Sequence, residues 1–477
     1  MKYFILLLRG SAFTGILLLS ILGCEVEEEQ NALLPVCSEL LIASDVSKII
    51  SQAVEIANKF DQKVMVAVTD REGNRLGLFQ MSGTTGDSAF AVSKARTAAY
   101  LSSNQHAFSS LTACFIVQNH FPPGIQNTPA GPLYGVAFSS LFGSDIQPNG
   151  SSIPSRPGLV CDPGGIPIYK NGCLVGGIGV DGGSSSFVSE ICSGESMDEI
   201  IALGALSGYT VPQEKRGDNI FIDGIRFLYT NASPPNTTFT PGFDPLSLGS
   251  YLIGAQNAPT PKFPADADPM REVVLDPTHD FRIRPGTFLT AEEVRSILTQ
   301  AAAQAARTRA AIRRPLGVAS QVFIAVVDID SGKVLGIWRT LDATIFSFDV
   351  SAQKARTALA FSNPDNIEFG QRIRSILGLS TSRPLAVTTR AVGFLSQDFF
   401  PPGIDRDSVG ATVEPGPLYR GPNFAYQQEV GLRPYGNGIT IFPGGIPLYK
   451  NGRLVGAIGI SGDGVDQDDL IAAAGAT

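Results

Sequence analysis

The sequence predicts an α+β fold written twice, each copy an antiparallel sheet flanked by helices. Three observations carry the prediction. Four motifs recur in the same order in the two halves of the chain. Apolar stripes of helical period open each half, and short acidic helices close it. Between these helices, β-rich runs end in Gly-containing turns, which is the pattern of hairpins.

The motifs set the boundaries. Gly164-Gly165-Ile166-Pro167-Ile168-Tyr169-Lys170-Asn171-Gly172 recurs as Gly444-Gly445-Ile446-Pro447-Leu448-Tyr449-Lys450-Asn451-Gly452. Lys94-Ala95-Arg96-Thr97-Ala98 recurs as Lys354-Ala355-Arg356-Thr357-Ala358. Phe121-Pro122-Pro123-Gly124-Ile125 returns as Phe400-Pro401-Pro402-Gly403-Ile404, and Gly131-Pro132-Leu133-Tyr134 as Gly416-Pro417-Leu418-Tyr419. Matches in register at this spacing mark an internal repeat. The copies are placed at 40–210 and 286–477. Residues 211–285, rich in Pro, Asn, Thr and Asp, read as a linker or insert, with Asn219 to Tyr229 alternating as a strand inside it.

Each element follows in turn. Val46, Ile49, Ile50, Ala53, Val54 and Ala57 form the first apolar stripe, with Ser44 as its expected cap. Thr290 and Glu293 form a capping box ahead of Val294, Ile297, Leu298 and Ala301 in the second copy. A hairpin comes next: Val64 to Thr69 and Leu76 to Phe79, or Val322 to Val327 and Val334 to Trp338. The Lys-Ala-Arg-Thr-Ala motif lies on a helix of small residues, suited to close packing. After a loop-rich excursion, Asn171-Gly172 and Asn451-Gly452 supply the two positive-φ residues of a type I′ hairpin turn. Short helices at Asp198 to Leu206 and Asp468 to Ala474 close the copies.

Composition narrows the class. A chain of 477 residues exceeds one ordinary domain, and 43% hydrophobic with 17% charged residues suits a well-buried globular protein. The net charge of −8 repels phosphate backbones, so nucleic acid is not an expected partner.

Lys2 and Arg9 accompany an apolar run, Gly10 to Ile21, too short to span a bilayer. It ends in Ile21-Leu22-Gly23-Cys24, which resembles the lipobox of bacterial lipoproteins. The resemblance implies a signal peptide at 1–23, cleavage before Cys24 and acylation of that cysteine, with several acyl chains holding the protein on a membrane. Residues 24–39 then form an acidic tether, led by Glu25, Glu27, Glu28 and Glu29. No Asp follows Cys24, so the inner-membrane retention signal of such lipoproteins is missing. The expected location is the bacterial cell envelope, at the outer membrane. An ordinary secretory signal with a chance cysteine is the alternative.

Five further cysteines, Cys37, Cys114, Cys161, Cys173 and Cys192, all lie in the first half. Cys161 and Cys173 flank the Asn171-Gly172 hairpin, which makes a local bridge one candidate. Spacing leaves the pairing open. No C-x-x-C occurs, so a redox motif of that type and a c-type haem attachment are excluded.

The Gly-Gly-Ile-Pro blocks, the Lys-Ala-Arg-Thr-Ala helices and the acidic closing helices together resemble the GlcG/HbpS family, which includes the C-terminal domain of PduO-type proteins. The second copy, with Gly459-Ile460-Ser461-Gly462-Asp463-Gly464 and then Asp468-Asp469-Leu470-Ile471-Ala472, is the nearer match. The resemblance covers the start and end of each copy. It implies an antiparallel sheet flanked by helices, of profilin-like layering. It implies members that oligomerise, so that two copies form an intramolecular pseudo-dimer. It further implies haem as a ligand of some members, with haem degradation or corrinoid chemistry in others.

Haem needs an apolar slot, an iron ligand and cations for its propionates. The histidines are His106, His120 and His279, none in an opening helix, where a histidine serves haem in some relatives. His120 and His106 are candidate ligands, or else loop or core histidines. Tyr134, Tyr419, Tyr169 and Tyr449 are further candidates, or packing residues with satisfied hydroxyls. Lys94, Arg96, Lys354 and Arg356 are the anion-binding candidates. Each pair sits two apart on a helix, so its side chains diverge, and a structural ion pair with Asp70 or Asp328 competes with a ligand role.

Other motifs exclude themselves. Gly177-Ile178-Gly179-Val180-Asp181-Gly182 fits G-x-G-x-x-G but falls late in its copy, and Ala457 replaces its first glycine in the second. Those glycines are expected to admit a close backbone. Ser351-Ala352-Gln353-Lys354 fits S-x-x-K, yet Ala91 stands at the equivalent of Ser351. The expected function is a lipid-anchored extracytoplasmic binding protein for haem or a similar flat apolar tetrapyrrole. The alternatives are a non-catalytic structural or interaction lipoprotein and, last, a haem-degrading enzyme, since no acid, base or ligand set recurs in both copies.

Overall fold

Strand β1 (Met65–Asp70) is buried at every residue, and so is its counterpart β8 (Phe323–Asp328). A strand buried on both faces needs helix above and below it, and each copy supplies both layers. The computed structural model describes residues 37–135, 159–261, 283–330, 332–419 and 439–477. The leader, Cys24 and His279 therefore lie outside the described residues, as do the first residues of the tether.

The first copy runs α1 (Ala43–Lys59), β1, β2 (Arg75–Met81), α2 (Ser88–Tyr100), α3 (Ser110–Ile116), β3 (Gly165–Lys170), β4 (Cys173–Asp181) and α4 (Met197–Ala205). Strands β5 (Phe221–Ile222), β6 (Ile225–Arg226) and β7 (Gly249–Ile253) follow between the copies. The second copy runs α5 (Ala291–Ala305), β8, β9 (Val334–Arg339), α6 (Phe346–Ser362), α7 (Arg372–Ile376), α8 (Thr389–Leu395), β10 (Gly445–Lys450), β11 (Arg453–Ser461) and α9 (Val465–Gly475). The two sheets have strand orders β3-β4-β1-β2-β7 and β10-β11-β8-β9, antiparallel throughout.

Alternation along β1 sorts the layers. Val66 and Val68 face α1 and α4, while Met65 and Ala67 face α2. In the second copy Ile324 and Val326 meet α5 and α9, and Phe323, Ala325 and Val327 meet α6. Asn171 and Asn451 take φ of 50° and 52°, followed by Gly172 and Gly452 at 79° and 77°, so both hairpins close on the expected two-residue turn. The glycines of β4 serve packing: a Cβ on Gly177 or Gly179 would meet the carbonyl oxygens of Ala95 and Ala91 at 2.1 and 1.9 Å, where α2 lies against the sheet.

Three expectations change. Helix α1 begins one residue before Ser44, at Ala43, and Asp45 caps it by accepting from the Ile42 N–H at 3.1 Å. The segment expected as one strand, Asn219 to Tyr229, is instead the β5–β6 hairpin, broken where Asp223 and Gly224 take positive φ. Cys173 bridges to Cys37, not to Cys161, and ties the start of β4 to the chain ahead of α1.

The copies share one apolar cluster. It joins Leu101, Phe108, Leu111 and Phe227 to Phe348, Phe361, Phe369 and Leu418. A polar hub crosses the same boundary. The fully buried Arg313 contacts Asp463 and Asp342 at 3.1 and 3.3 Å and donates to Ser103 Oγ at 3.0 Å. Asp342 also accepts from Arg71 and from the Asn104 N–H.

Candidate functional site

The anion-binding candidates are turned inward. Lys94 Nζ reaches Asp198, Asp181 and the Val180 carbonyl at 2.8–2.9 Å, and Lys354 Nζ reaches Asp468 and the Ile460 carbonyl at 2.7 and 2.8 Å. Both side chains are buried, so their charge is spent on tying the closing helices α4 and α9 to the sheet. The ligand role expected of Lys94 and Lys354 gives way to this structural one. Their partners are not Asp70 and Asp328: Asp70 caps its own turn by accepting from Asn74, and Asp328 accepts from Thr287, ahead of α5. Burial works against the charge of Lys94, but two carboxylates outweigh it and raise its pKa. Ser461 stands where Asp181 does, so Lys354 has one ion-pair partner fewer. Burial then lowers its pKa and raises that of Asp468 to about 6.

Arg96 and Arg356 are buried and support their own folds as well. Their Nε groups donate to the carbonyls of Gly73 and Gly332 at 3.0 and 2.8 Å, holding the turn after β1 and the turn after β8. Thr97 and Thr357 donate to carbonyls one turn back, Ser93 and Gln353.

His120, Tyr134 and Tyr419 meet where the copies face each other. The His120 ring stacks on Phe399 at 5.3 Å, and its Nε2 lies 2.6 Å from Asp405 Oδ2. The hydroxyls of Tyr134 and Tyr419 bond to each other, and Tyr419 also bonds Asp398. Burial pushes the Tyr419 phenol up to about 12 and raises Tyr134 further, which disfavours a phenolate at either. His106 is fully buried, with Nδ1 at Ser103 Oγ and Nε2 at the Leu101 carbonyl, both 2.9 Å; burial holds its pKa well below the usual range.

An open cleft of about 300 Å³ lies elsewhere, in the second copy. Phe288, Ile329, Pro364 and Leu454 give it apolar walls, and Tyr449, Arg453, Arg374 and Asp365 its polar ones. The exposed Arg453 guanidinium stacks 3.6 Å above the Phe288 ring. Arg374 donates to the carbonyls of Arg383, Gly370 and Ser362 at 2.8–2.9 Å, fixing the insertion that roofs the cleft. Tyr449 donates to the Leu385 carbonyl at 3.0 Å and remains 37% exposed.

The same position in the first copy is sealed. Tyr169 donates to the His106 carbonyl at 2.9 Å, the counterpart of the Tyr449 bond, yet is 1% exposed. Three differences explain the contrast. The first copy runs straight from Ser102 to Phe108, whereas the second detours from Ser362 to Val387 through a π-helical turn, Ile367–Gln371, and α7. Cys173, bridged to Cys37, replaces Arg453. The segment after α4 lies over Tyr169: Lys215 Nζ sits 5.7 Å from its ring and donates to the Gly172 carbonyl at 2.7 Å.

Of the ligand candidates named from the sequence, Tyr449 alone lines this cleft. Phe288, Arg374 and Arg453 escaped notice because they fall where the copies differ, and the repeat drew attention to where they agree. Among the described residues, no group of three or more His, Cys, Asp or Glu is placed to hold a metal ion. No helix among them is long and apolar enough to cross a membrane.

Two regions, residues 41–193 and 289–477, match the family model HbpS-like, described as haem degrading protein HbpS-like. An uncharacterized 15.0 kDa protein in the dhaT-dhaS intergenic region of Citrobacter freundii is 40% identical over 60 residues, 13% of this chain and 36% of that protein. The chain thus spans about a third of the length of that curated relative. Among solved structures, a PduOC:heme complex is 20% identical, covering 36% of this chain and 98% of its own, with a TM-score of 0.22. Klebsiella pneumoniae protein ORFY is 19% identical over 36% of this chain and 94% of its own, with a TM-score of 0.24. A double mutant of HbpS from Streptomyces reticuli is 24% identical over 36% of this chain and 88% of its own, with a TM-score of 0.21.

Proposed function

We propose a function from one premise: the chain belongs to the HbpS-like family of haem degrading proteins, with two family domains in one polypeptide. Its role is to bind haem, or a flat apolar cofactor of the same chemistry, in the cleft of the second copy. The carrying observation is the pairing of an exposed guanidinium with an aromatic wall, Arg453 over Phe288, in a cleft that has both apolar and polar walls. A porphyrin presents a flat apolar plate edged by carboxylates. Phe288, Ile329 and Leu454 suit the plate, and Arg453 suits a carboxylate as a bidentate donor. At about 300 Å³ the cleft stands at the lower end of ligand pockets, ~300–1,000 Å³, so it takes the propionate edge and leaves the rest of the plate exposed.

The protein works outside the cytoplasm, anchored by acylated Cys24 to the outer membrane. The Cys37–Cys173 bridge supports an oxidising compartment. Incorporation of labelled palmitate that disappears in Cys24→Ser tests the anchor. A haemin titration of the full chain in detergent tests the ligand: a saturable Soret shift is expected, and its absence at micromolar haemin overturns the proposal. Adding ascorbate to the loaded protein separates binding, in which the Soret band persists, from degradation, in which it decays.

A further inference from the structure

Three thiols of the first copy converge on one point. Cys114 lies on α3, Cys192 ends the turn Ser189–Ile191 with φ of 48°, and Cys161 precedes β3. Cys114 Sγ stands 2.6 Å from Cys192 Sγ, well inside the ~3.5–4.0 Å at which carbon-sized atoms rest in non-bonded contact. Gln118 Nε2 faces both sulfurs, at 3.3 and 3.6 Å, and the Ser189 carbonyl accepts from each at 3.4 Å. The half-buried Cys161 thiol also hydrogen-bonds to Cys114.

The three cysteines are particular to the first copy. Cys114 is the fifth residue after the cap Ser109; Gly393 is the fifth after the equivalent cap Thr388. Cys161 follows Val160, whose N–H donates to Thr97, and Ile441 follows Thr440, whose N–H donates to Thr357. The loop that carries Cys192 has no counterpart, because the second copy passes from Gly462 to α9 within three residues.

We infer that Cys114 and Cys192 are joined in the mature protein as a second disulfide, with Cys161 kept beside it as a thiol. In forming the bond, the two thiols release two protons and pass two electrons to a disulfide-bearing oxidant, which leaves as two thiols. The link fastens the 183–196 loop at a junction. Ile191 packs against Gly124 of the Phe-Pro-Pro-Gly loop, and Asn231 donates to the Cys192 and Gly194 carbonyls at 3.2 and 3.1 Å. The bond therefore ties α3 to a loop that Asn231 of the inter-copy segment also holds by hydrogen bonds. Cys161 does not displace it, because its bond to Cys114 and its burial keep it protonated, and the thiolate is the attacking form.

Peptide mapping of the full chain tests the inference, with free thiols alkylated under denaturing conditions before any reduction. A cross-linked peptide joining Cys114 to Cys192, with Cys161 alkylated, is expected. A Cys114–Cys161 link, or alkylation of all three, overturns it. Cys161→Ser is expected to retain the link; its loss in that variant while Cys37–Cys173 persists overturns the assignment as well.

Discussion

Asn119 and Asp398 stand at the same position of the two copies and hydrogen-bond to each other, Nδ2 to Oδ2 at 3.2 Å. Their neighbours behave alike: His120 stacks on its counterpart Phe399, and Tyr134 bonds its counterpart Tyr419. Self-contact between equivalent residues is the mark of a two-fold interface, here enclosed in one chain. Fusion lets the two sides diverge. Asp398 replaces what would be a second Asn, and Asp405 gives His120 a hydrogen-bond partner, where the equivalent residue of the first copy is Gln126.

Removing His120 should weaken this boundary. His120→Ala leaves the buried Asp405 carboxylate without its 2.6 Å partner, at a cost of about 1–3 kcal/mol. Denaturant melts of the full chain should show a lower midpoint, with haemin affinity unchanged.

The buried lysines should prove structural. Lys354→Met strands Asp468 inside the fold, and breaking a buried pair in this way costs about 3–5 kcal/mol. Lys94→Met strands both Asp181 and Asp198 and should cost more. Equilibrium unfolding measures both; a loss of haemin binding without a loss of stability would restore their role as ligands.

Stability should fall as the pH rises from about 4.5 to about 7, with Glu199 a contributor. Burial raises its pKa from 4.5 to about 7, although the N–H groups of Asn231 and Ala232 donate to it. A carboxyl with a higher pKa in the fold than in the unfolded chain binds the extra proton in the fold. Its contribution is full below the unfolded value and is lost as the pH rises through about 7. Glu199→Gln should flatten that part of a melting-temperature profile against pH.

The Cys37–Cys173 bridge closes a span of 136 residues, and Cys37→Ser should cost about 2–5 kcal/mol. Wild-type protein treated with reductant should lose at least as much, because the Cys114–Cys192 link opens too, read by the same unfolding curves.

Much of this architecture is legible in the sequence because repeated needs leave repeated residues. Asn-Gly fixes both hairpin turns, and Thr290 with Glu293 forms the expected capping box. The Lys-Ala-Arg-Thr-Ala helices are also recognisable, but not what their charges do. Lys94 pairs with Asp181 and Asp198, 87 and 104 residues away in sequence, and only the folded sheet brings them together. The cleft is illegible for the opposite reason. It depends on Arg453 where the first copy has Cys173, and on an insertion whose polar residues resemble any loop.

The second-copy cleft should take the tetrapyrrole while its sealed twin does not. Haemin titration of wild type beside Arg453→Glu decides it. One haemin per chain is predicted for wild type, with affinity reduced about tenfold or more when the guanidinium at Phe288 becomes a carboxylate, since ~1.4 kcal/mol is tenfold. Two equivalents per chain, or an Arg453→Glu curve that overlays wild type, would contradict it.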